Sequence, residues 1–175
     1  MRSLYVGIDL PGGTGPIGLV ALDGDGEPVA TATVETDDGI AVWIEALPGG
    51  VAVAAVDAEL LAPEGVDPPR AGALARRLGW TTTATNRGSV AWPACIRVDP
   101  EAVTDDVADG CARLAWLWHH RPDELRVHGD REHGYVVAPA TPPAGAELHV
   151  EVDPAEIDAV RSAIQTLPGV RRVLG

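Results

Sequence analysis

The feature that most constrains this chain is a set of three short apolar segments joined by tight turns near its beginning. The segments cover residues 3–9, 17–23 and 28–35, and the turns between them read PGGTGP and DGDGEP. Glycine and proline at these positions favour reversal of the backbone. The third segment alternates apolar and polar residues, as a half-exposed strand does. The pattern predicts an antiparallel meander of three strands and disfavours a fold that begins with a crossover helix.

The segments that follow predict helices alternating with strands. Residues 39–47 suit a helix capped by Asp37 or Asp38, and residues 51–57 form a continuous run of small and β-branched residues. Such a run is typical of a strand buried on both faces. Further helices are predicted over residues 70–79 and 101–118, and further strands over 94–99, 125–128 and 134–138. The order βββαβαβα predicts an α/β protein with a ribonuclease-H-like mixed sheet, in which the fourth and fifth strands run parallel to the first.

The composition of the C-terminal part predicts a second, smaller unit. Residues 1–140 are predicted to form the ribonuclease-H-like domain, residues 141–146 a linker rich in proline and alanine, and residues 147–175 a βαβ extension. A unit of this size cannot bury a core of its own. We therefore expect the extension to dock on the main domain or to join two copies in a homodimer.

Charge and hydropathy narrow the function classes. The chain has 13 basic and 26 acidic residues and a net charge of −13, which disfavours coating of DNA or binding to anionic membranes. The sequence lacks a signal peptide's apolar region and any run of about 20 apolar residues. Cys95 and Cys111 lack the spacing of a zinc or redox motif. We therefore expect a cytoplasmic protein with reduced thiols. Separately, a composition with arginine but no lysine is typical of a bacterial genome rich in GC.

Two carboxylates follow the most apolar strands of the predicted sheet. Asp9 closes the first strand and Asp57 closes the fourth, and parallel neighbours bring their carboxyl ends to the same sheet edge. Close carboxylates repel each other unless a cation lies between them, and Mg²⁺ or Mn²⁺ prefers such oxygen ligands. Two such ions about 4 Å apart promote phosphodiester hydrolysis. The pair therefore predicts a carboxylate-bound metal site.

A later helix offers a third acid to this site. The segment TDDVADG contains Asp105, Asp106 and Asp109, and Asp109 lies about one helical turn beyond the other two. Acids at strand ends and helix starts are also common caps and turn formers, and this chain has 26 acids to place. Both interpretations remain open at the level of sequence.

Six segments of the chain carry a resemblance to a known family. In order, they read VGIDLPGGTGPIGLVALDGDG, VAVAAVDAELLAPEG, PRAGALARRLGW, TNRGSVAW, TDDVADGCARLAWLW and EHGYVVAP. Across residues 4–139 they resemble the predicted-nuclease family of ribonuclease-H-like fold called domain of unknown function four-two-nine. The resemblance implies that Asp9, Asp57 and Asp109 are metal-facing acids, and that Arg70 and Asn86 are polar positions near the cleft that bind substrate.

The sequence departs from the family at two positions near the predicted site. Arg97 stands where the family usually carries a glutamate on the fifth strand, and Asp99 follows two residues later on the same strand face. Glu59 replaces the proline of the family's Asp-Ala-Pro segment. Asp99 and Glu59 are therefore candidate replacement metal ligands.

Three functions fit these observations. The first is a metal-dependent phosphodiester hydrolase, nuclease-like, that uses Mg²⁺ or Mn²⁺ on a nucleic acid or nucleotide substrate. The alternative is a catalytically inactive scaffold that dimerises through its extension and binds a protein partner or small ligand. The third is a nucleotide-binding relic, because Gly12, Gly13 and Thr14 resemble a phosphate-binding hairpin of actin-like ATPases and sugar kinases. A salt bridge from Arg97 to Asp9 or Asp57 would favour the scaffold.

Overall fold

A computed structural model of the full chain describes residues 2–62, 66–82, 93–99, 102–103, 106–130 and 134–140. Within these ranges the chain forms eight strands and three α-helices. The strands are β1 (Ser3–Asp9), β2 (Ile17–Leu22), β3 (Pro28–Val34), β4 (Gly50–Val56), β5 (Thr81–Thr82), β6 (Ala94–Val98), β7 (Leu125–Asp130) and β8 (Gly134–Pro139). The helices are α1 (Asp37–Glu45), α2 (Arg70–Arg77) and α3 (Val107–His120). The predicted linker and C-terminal extension, with the homodimer expected through it, lie outside the described residues.

The strands form one mixed sheet. Its order is β3-β2-β1-β4-β6-β8-β7, and β5 pairs with β6 beside this path. Strands β1, β2 and β3 form an antiparallel meander, while β4 runs parallel to β1 and β6 runs parallel to β4. Strand β8 is parallel to β6, and β7 returns antiparallel to β8. The predicted α/β class with a mixed sheet is confirmed.

The helix starts differ from those predicted by the sequence. Helix α1 is capped by Thr36, whose Oγ1 accepts a hydrogen bond from the Gly39 amide at 3.1 Å. Helix α3 begins later than predicted and is capped by Asp106, whose Oδ1 accepts from the Asp109 amide at 3.2 Å. Both are side-chain oxygens bonded to the third amide of the helix, as N-caps require. No helix in the described part of the chain is long and apolar enough to cross a membrane.

The helices cover the two faces of the sheet. Helix α3 packs on one face, where it buries Tyr5 of β1 and Ile96 and Val98 of β6. Helices α1 and α2 lie on the other face, which contains Ile8 of β1 and Cys95 of β6. Because side chains alternate along a strand, the face of each strand-end residue follows from these core residues. Asp9 belongs to the α3 face, and Arg97 belongs to the α1–α2 face.

A glycine sets the close approach of α3 to the central strand β1. A Cβ atom at Gly7 would overlap the carbonyl oxygen of Ala108 and the amide nitrogen of Ala112. The helix backbone therefore lies directly on the strand, which only glycine permits at this distance. Since Ala108 is in the first turn of α3, this contact brings the start of the helix to the end of β1.

Candidate functional site

Asp9 and Asp57 lie side by side at the carboxyl ends of β1 and β4. The parallel register pairs Ile8 with Val56, so the next residue on each chain is an aspartate. The backbone amide of Leu10 donates a hydrogen bond of 2.9 Å to Oδ1 of Asp57, and the two carboxyl groups are close enough to interact electrostatically. We call Asp9 and Asp57 the acid pair. The structure thus brings together the two residues that the strand pattern placed at one sheet edge.

The acid pair carries an electrostatic penalty. The pKa of Asp9 is raised, first by burial of its carboxyl group and then by the charges of Asp57 and Asp106, with a contribution from the hydrogen bond to Asp57. Two neighbouring carboxylates resist full ionisation because their charges repel each other in a poorly hydrated place. A positive charge bound here would relieve that repulsion.

Asp106 is the acid of α3 that acts on this pair. It caps the helix, and its charge raises the pKa of Asp9. Asp109, which the family resemblance implied as the third metal-facing acid, lies in the first turn, and its Oδ2 accepts a hydrogen bond of 2.6 Å from Nε of Arg113. Asp105 lies outside the described residues. Aspartate is a preferred N-cap residue, and this preference is the signal that could have identified Asp106 as the cap.

Arg97 and Glu59 lie at the same edge of the sheet but do not extend the acid pair. Nη2 of Arg97 is 3.9 Å from Oε1 of Glu59, whose side chain is 68% exposed. Arg97 is on the α1–α2 face, opposite to Asp9, which explains why its ion pair is with Glu59. The salt bridge that would have favoured the scaffold function is thus replaced by a different one.

The remaining predicted site residues have separate positions. Asp99 follows β6, and its backbone amide donates to the Val137 carbonyl at 3.3 Å. Asn86 lies outside the described residues. Arg70, which the resemblance implied as a substrate-binding position, makes several contacts within the protein.

Arg70 connects three elements near the acid pair. From the start of α2, its Nε and Nη2 donate to Oδ1 of Asp37 at 3.0 and 2.6 Å. Its Nη1 donates to the carbonyl oxygens of Pro11 and Gly13 at 3.4 and 3.3 Å. These bonds hold the loop that follows β1, and this loop starts with Leu10, whose amide binds Asp57. Nothing in the local sequence pattern indicates such long-range contacts.

Small residues and a buried thiol surround the acid pair. Gly18 on β2 pairs with Asp9, and a Cβ atom there would lie 3.8 Å from Oδ2 of Asp9. The same Cβ atom would lie 3.3 Å from Cβ of Ala108, so this side of Asp9 is bounded by β2 and the first turn of α3. On the α3 side, burial raises the pKa of the Cys111 thiol, and the nearby charges of Asp57 and Asp9 raise it further. Cys111 therefore stays a neutral thiol and acts as an apolar residue beneath the pair.

The acid pair supplies fewer ligand side chains than a metal site that is formed entirely by the protein. Within the described ranges, no three histidine, cysteine, aspartate or glutamate side chains form a group that could hold a metal ion. Any cation at the acid pair would therefore complete its coordination with water or with ligand oxygens.

Comparison with protein-family models, with curated proteins and with solved structures finds no match to this chain. The resemblance to the predicted-nuclease family therefore stays a prediction from short sequence segments.

Proposed function

We propose that this chain is a divalent-cation-dependent phosphodiester hydrolase with a ribonuclease-H-like fold, acting on a nucleic acid or nucleotide. The observation that carries the proposal is the acid pair at the shared edge of two parallel central strands. The strand order β3-β2-β1-β4-β6, with an antiparallel meander followed by parallel β4 and β6, supports the fold assignment. The ordered sequence resemblance across residues 4–139 supports both parts of the proposal.

The residues at the acid pair fit Mg²⁺ or Mn²⁺. Mg²⁺ in enzymes is usually held by one or two carboxylates and keeps water molecules or substrate phosphates as its other ligands. Asp9 and Asp57 supply two carboxylates whose repulsion a cation would relieve. A divalent cation held there supplies Lewis-acid activation of water and neutralises charge on phosphoryl oxygens.

The surrounding residues orient the carboxylates and control a proton. The Leu10 amide fixes Oδ1 of Asp57, and Arg70 holds the loop that carries this amide. Asp9 keeps its proton to a higher pH than an ordinary aspartate because of its raised pKa. Binding of a cation to the pair should therefore release a proton from Asp9.

The overall charge of the protein limits the substrate. A net charge of −13 repels a long polyanion, because nucleic-acid binding depends strongly on neutralising phosphates with basic residues. We therefore propose a small or structured substrate that is captured locally at the site. Long duplex DNA fits this surface poorly.

The first experiment is calorimetric titration of Mn²⁺ and Mg²⁺ into the full chain. We expect saturable binding that weakens at least about tenfold in Asp9→Asn and Asp57→Asn, since even residues that only support ligands change affinity by about 10–100-fold. Asp38→Asn is the matched control, because Asp38 is 79% exposed and paired with Arg77. Asp106→Asn and Asp109→Asn compare the two helix acids, and we expect the larger loss in Asp106→Asn.

Hydrolysis of bis(p-nitrophenyl) phosphate then tests the reaction. We expect turnover that requires the metal and disappears in Asp9→Asn. The noncatalytic scaffold gives the opposite result, which is a folded protein without metal-dependent turnover. The nucleotide-binding relic instead predicts nucleotide binding that depends on the loop at Gly12–Thr14 and is indifferent to Asp57→Asn.

A further inference from the structure

Arg97 places a positive charge at the same sheet edge as the acid pair. It lies one residue before the end of β6 and is paired in register with Val56, the residue before Asp57. Its guanidinium group reaches the segment after β4, where Nη2 lies 3.9 Å from Glu59. Strands β4 and β6 are paired, and neighbouring strands are about 4.8 Å apart. Arg97 and Asp57 therefore lie at the ends of two adjacent strands.

Within the described ranges, the guanidinium of Arg97 has one long ion pair and one donor without a partner. Among the described residues, its Nε is a buried donor without a hydrogen-bond partner. Its ion pair at 3.9 Å is longer than a charge-assisted hydrogen bond of about 2.7–2.9 Å. Arg70 shows the contrast, because its Nε, Nη1 and Nη2 all donate to protein oxygens at 2.6–3.4 Å. A buried, unsatisfied N–H is unfavourable, and the long contact between Nη2 and Glu59 is one that the guanidinium could exchange for a ligand oxygen.

We propose that Arg97 binds an anionic phosphoryl oxygen of the substrate beside the acid pair, an inference that rests on the proposed hydrolase function. The planar guanidinium offers two parallel donors to a phosphate group. In a chain with a net charge of −13, a local cation offsets the general repulsion of an anionic phosphate. Glu59 then acts as an internal competitor, which the phosphate displaces from Arg97.

The opposite faces of Arg97 and Asp9 suit a ligand that lies across the end of the sheet. Asp9 belongs to the α3 face and Arg97 to the α1–α2 face, while β1, β4 and β6 all end within one or two residues of this edge. A phosphodiester placed over the strand ends meets both groups. In this proposal the acid pair binds the cation and Arg97 binds the anionic phosphoryl oxygen.

Binding of inorganic phosphate, without added metal, tests this inference. Calorimetry on the full chain should show millimolar binding that weakens about tenfold or more in Arg97→Gln, because a hydrogen bond to a charged group contributes roughly tenfold in affinity. Arg77→Gln is the matched control: it removes the same charge from an exposed arginine paired with Asp38, and it should change affinity less than about twofold. Glu59→Gln should tighten binding, since it removes the competing carboxylate.

The outcomes separate this inference from the proposed function. Equal phosphate affinity in Arg97→Gln and Arg77→Gln, or no saturable phosphate binding to the unmodified chain, overturns the role of Arg97. Arg97→Lys keeps the positive charge but removes the two parallel donors of the guanidinium. A phosphate affinity between those of the unmodified chain and Arg97→Gln supports the proposed contact. Mn²⁺ titration of Arg97→Gln should match the unmodified chain. Phosphate binding that depends on Arg97 in a chain that binds no metal supports the anion site while overturning the hydrolase.

Discussion

The two ends of the central sheet shift the pKa of an aspartate in opposite directions. At the turn after β2, Asp23 is buried, and its Oδ1 accepts hydrogen bonds from the amides of Asp25 at 2.9 Å and Glu27 at 3.0 Å, while Arg2 binds Oδ2. The bond from Glu27 is the main cause of its lowered pKa. At the other end, burial and neighbouring acids raise the pKa of Asp9. The protein stabilises the charge of the first carboxylate with hydrogen bonds and a cation, and it places the second carboxylate beside other acids.

Helix α3 connects these two ends. Its cap, Asp106, acts on Asp9 at the functional end. Toward its last turn, Nε1 of Trp116 donates to the carbonyl of Gly24 at 3.0 Å, and Nε2 of His120 lies 2.9 Å from the hydroxyl of Tyr5. The same helix therefore fixes the turn that contains Asp23 and positions the acid near the functional pair. Changes that move α3 should affect both ends.

Gly7→Val should cause the largest loss in free energy of unfolding, and it should disturb both ends of the sheet because it displaces α3. The new side chain would overlap the backbone of α3 at Ala108 and Ala112, and overpacking of this kind costs about 3 kcal/mol or more in free energy of unfolding. Urea denaturation measures the loss. Gly24→Ala is the control: a Cβ at that position meets no atom of the described residues within 4 Å, so it should change stability by less than about 0.5 kcal/mol. Equal stability of the two variants would contradict the close packing of α3 on β1.

Much of the fold could be predicted because local signals agreed with the final structure. The meander follows from two turns rich in glycine and from apolar runs of strand length, and β1 covers the predicted residues 3–9. The acid pair could be predicted because both acids directly follow buried strands. These are features of neighbouring residues, so one sequence is enough to identify them.

The parts that sequence missed depend on contacts between distant residues. Strand β5, Thr81–Thr82, is too short for a periodic pattern and exists because it pairs with β6. The binding of Arg70 to Pro11 and Gly13 bridges 59 and 57 positions of the chain. The later start of α3 gives the cap to Asp106 and leaves Asp109 bound to Arg113. The helix boundary determines which of the two acids is the cap, and boundaries are the least reliable part of a pattern-based prediction.

Asp23→Ala should give the next largest loss, confined to the structural end. It removes the acceptor for two backbone amides and the partner of Arg2. Because the pKa of Asp23 is lowered in the folded state, its charge stabilises the protein above the unfolded-state pKa of about 4. That contribution is lost as the pH falls through the lower, folded pKa. Thermal melts should therefore show a deficit at pH 7 that shrinks in strong acid, with Mn²⁺ affinity unchanged. A deficit that is the same at every pH would assign the effect to the amide contacts alone.

Trp116→Phe should have a smaller effect at the same end. It removes the hydrogen bond from Nε1 to Gly24 and keeps an aromatic ring to stack on His120, whose ring centre lies 4.7 Å away. One such bond contributes about 1 kcal/mol, so urea denaturation should show a loss of this size. Trp116→Leu, which also removes the stacking, should lose more. Equal losses in the two variants would mean that the stacked ring contributes nothing.

Asp9→Asn should change stability least and in the opposite direction, which makes it the sharpest test of the contrast between the two ends. Because the pKa of Asp9 is raised in the folded state, the native protein binds more protons than the unfolded chain between about pH 4 and that raised pKa. Its stability therefore falls as the pH rises through this window, and the penalty is complete above it. Asparagine removes the charge while keeping the shape, so we expect a slightly higher Tm at pH 8 and no gain at pH 3.

The same variant should lose metal binding, so that stability and function change in opposite directions at one residue. Asp23→Asn supplies the comparison, since it removes an equal charge from the structural end and should lower the Tm at pH 8. The two melts, each with and without Mn²⁺, separate the carboxylate that holds the fold from the one that awaits a ligand. If Asp9→Asn lowers the Tm as Asp23→Asn does, then Asp9 is satisfied within the protein, and the acid pair is a structural hydrogen bond instead of a binding site. A gain in Tm together with loss of Mn²⁺ binding would mean that the fold gives up stability at this edge to keep two ionisable carboxylates in contact.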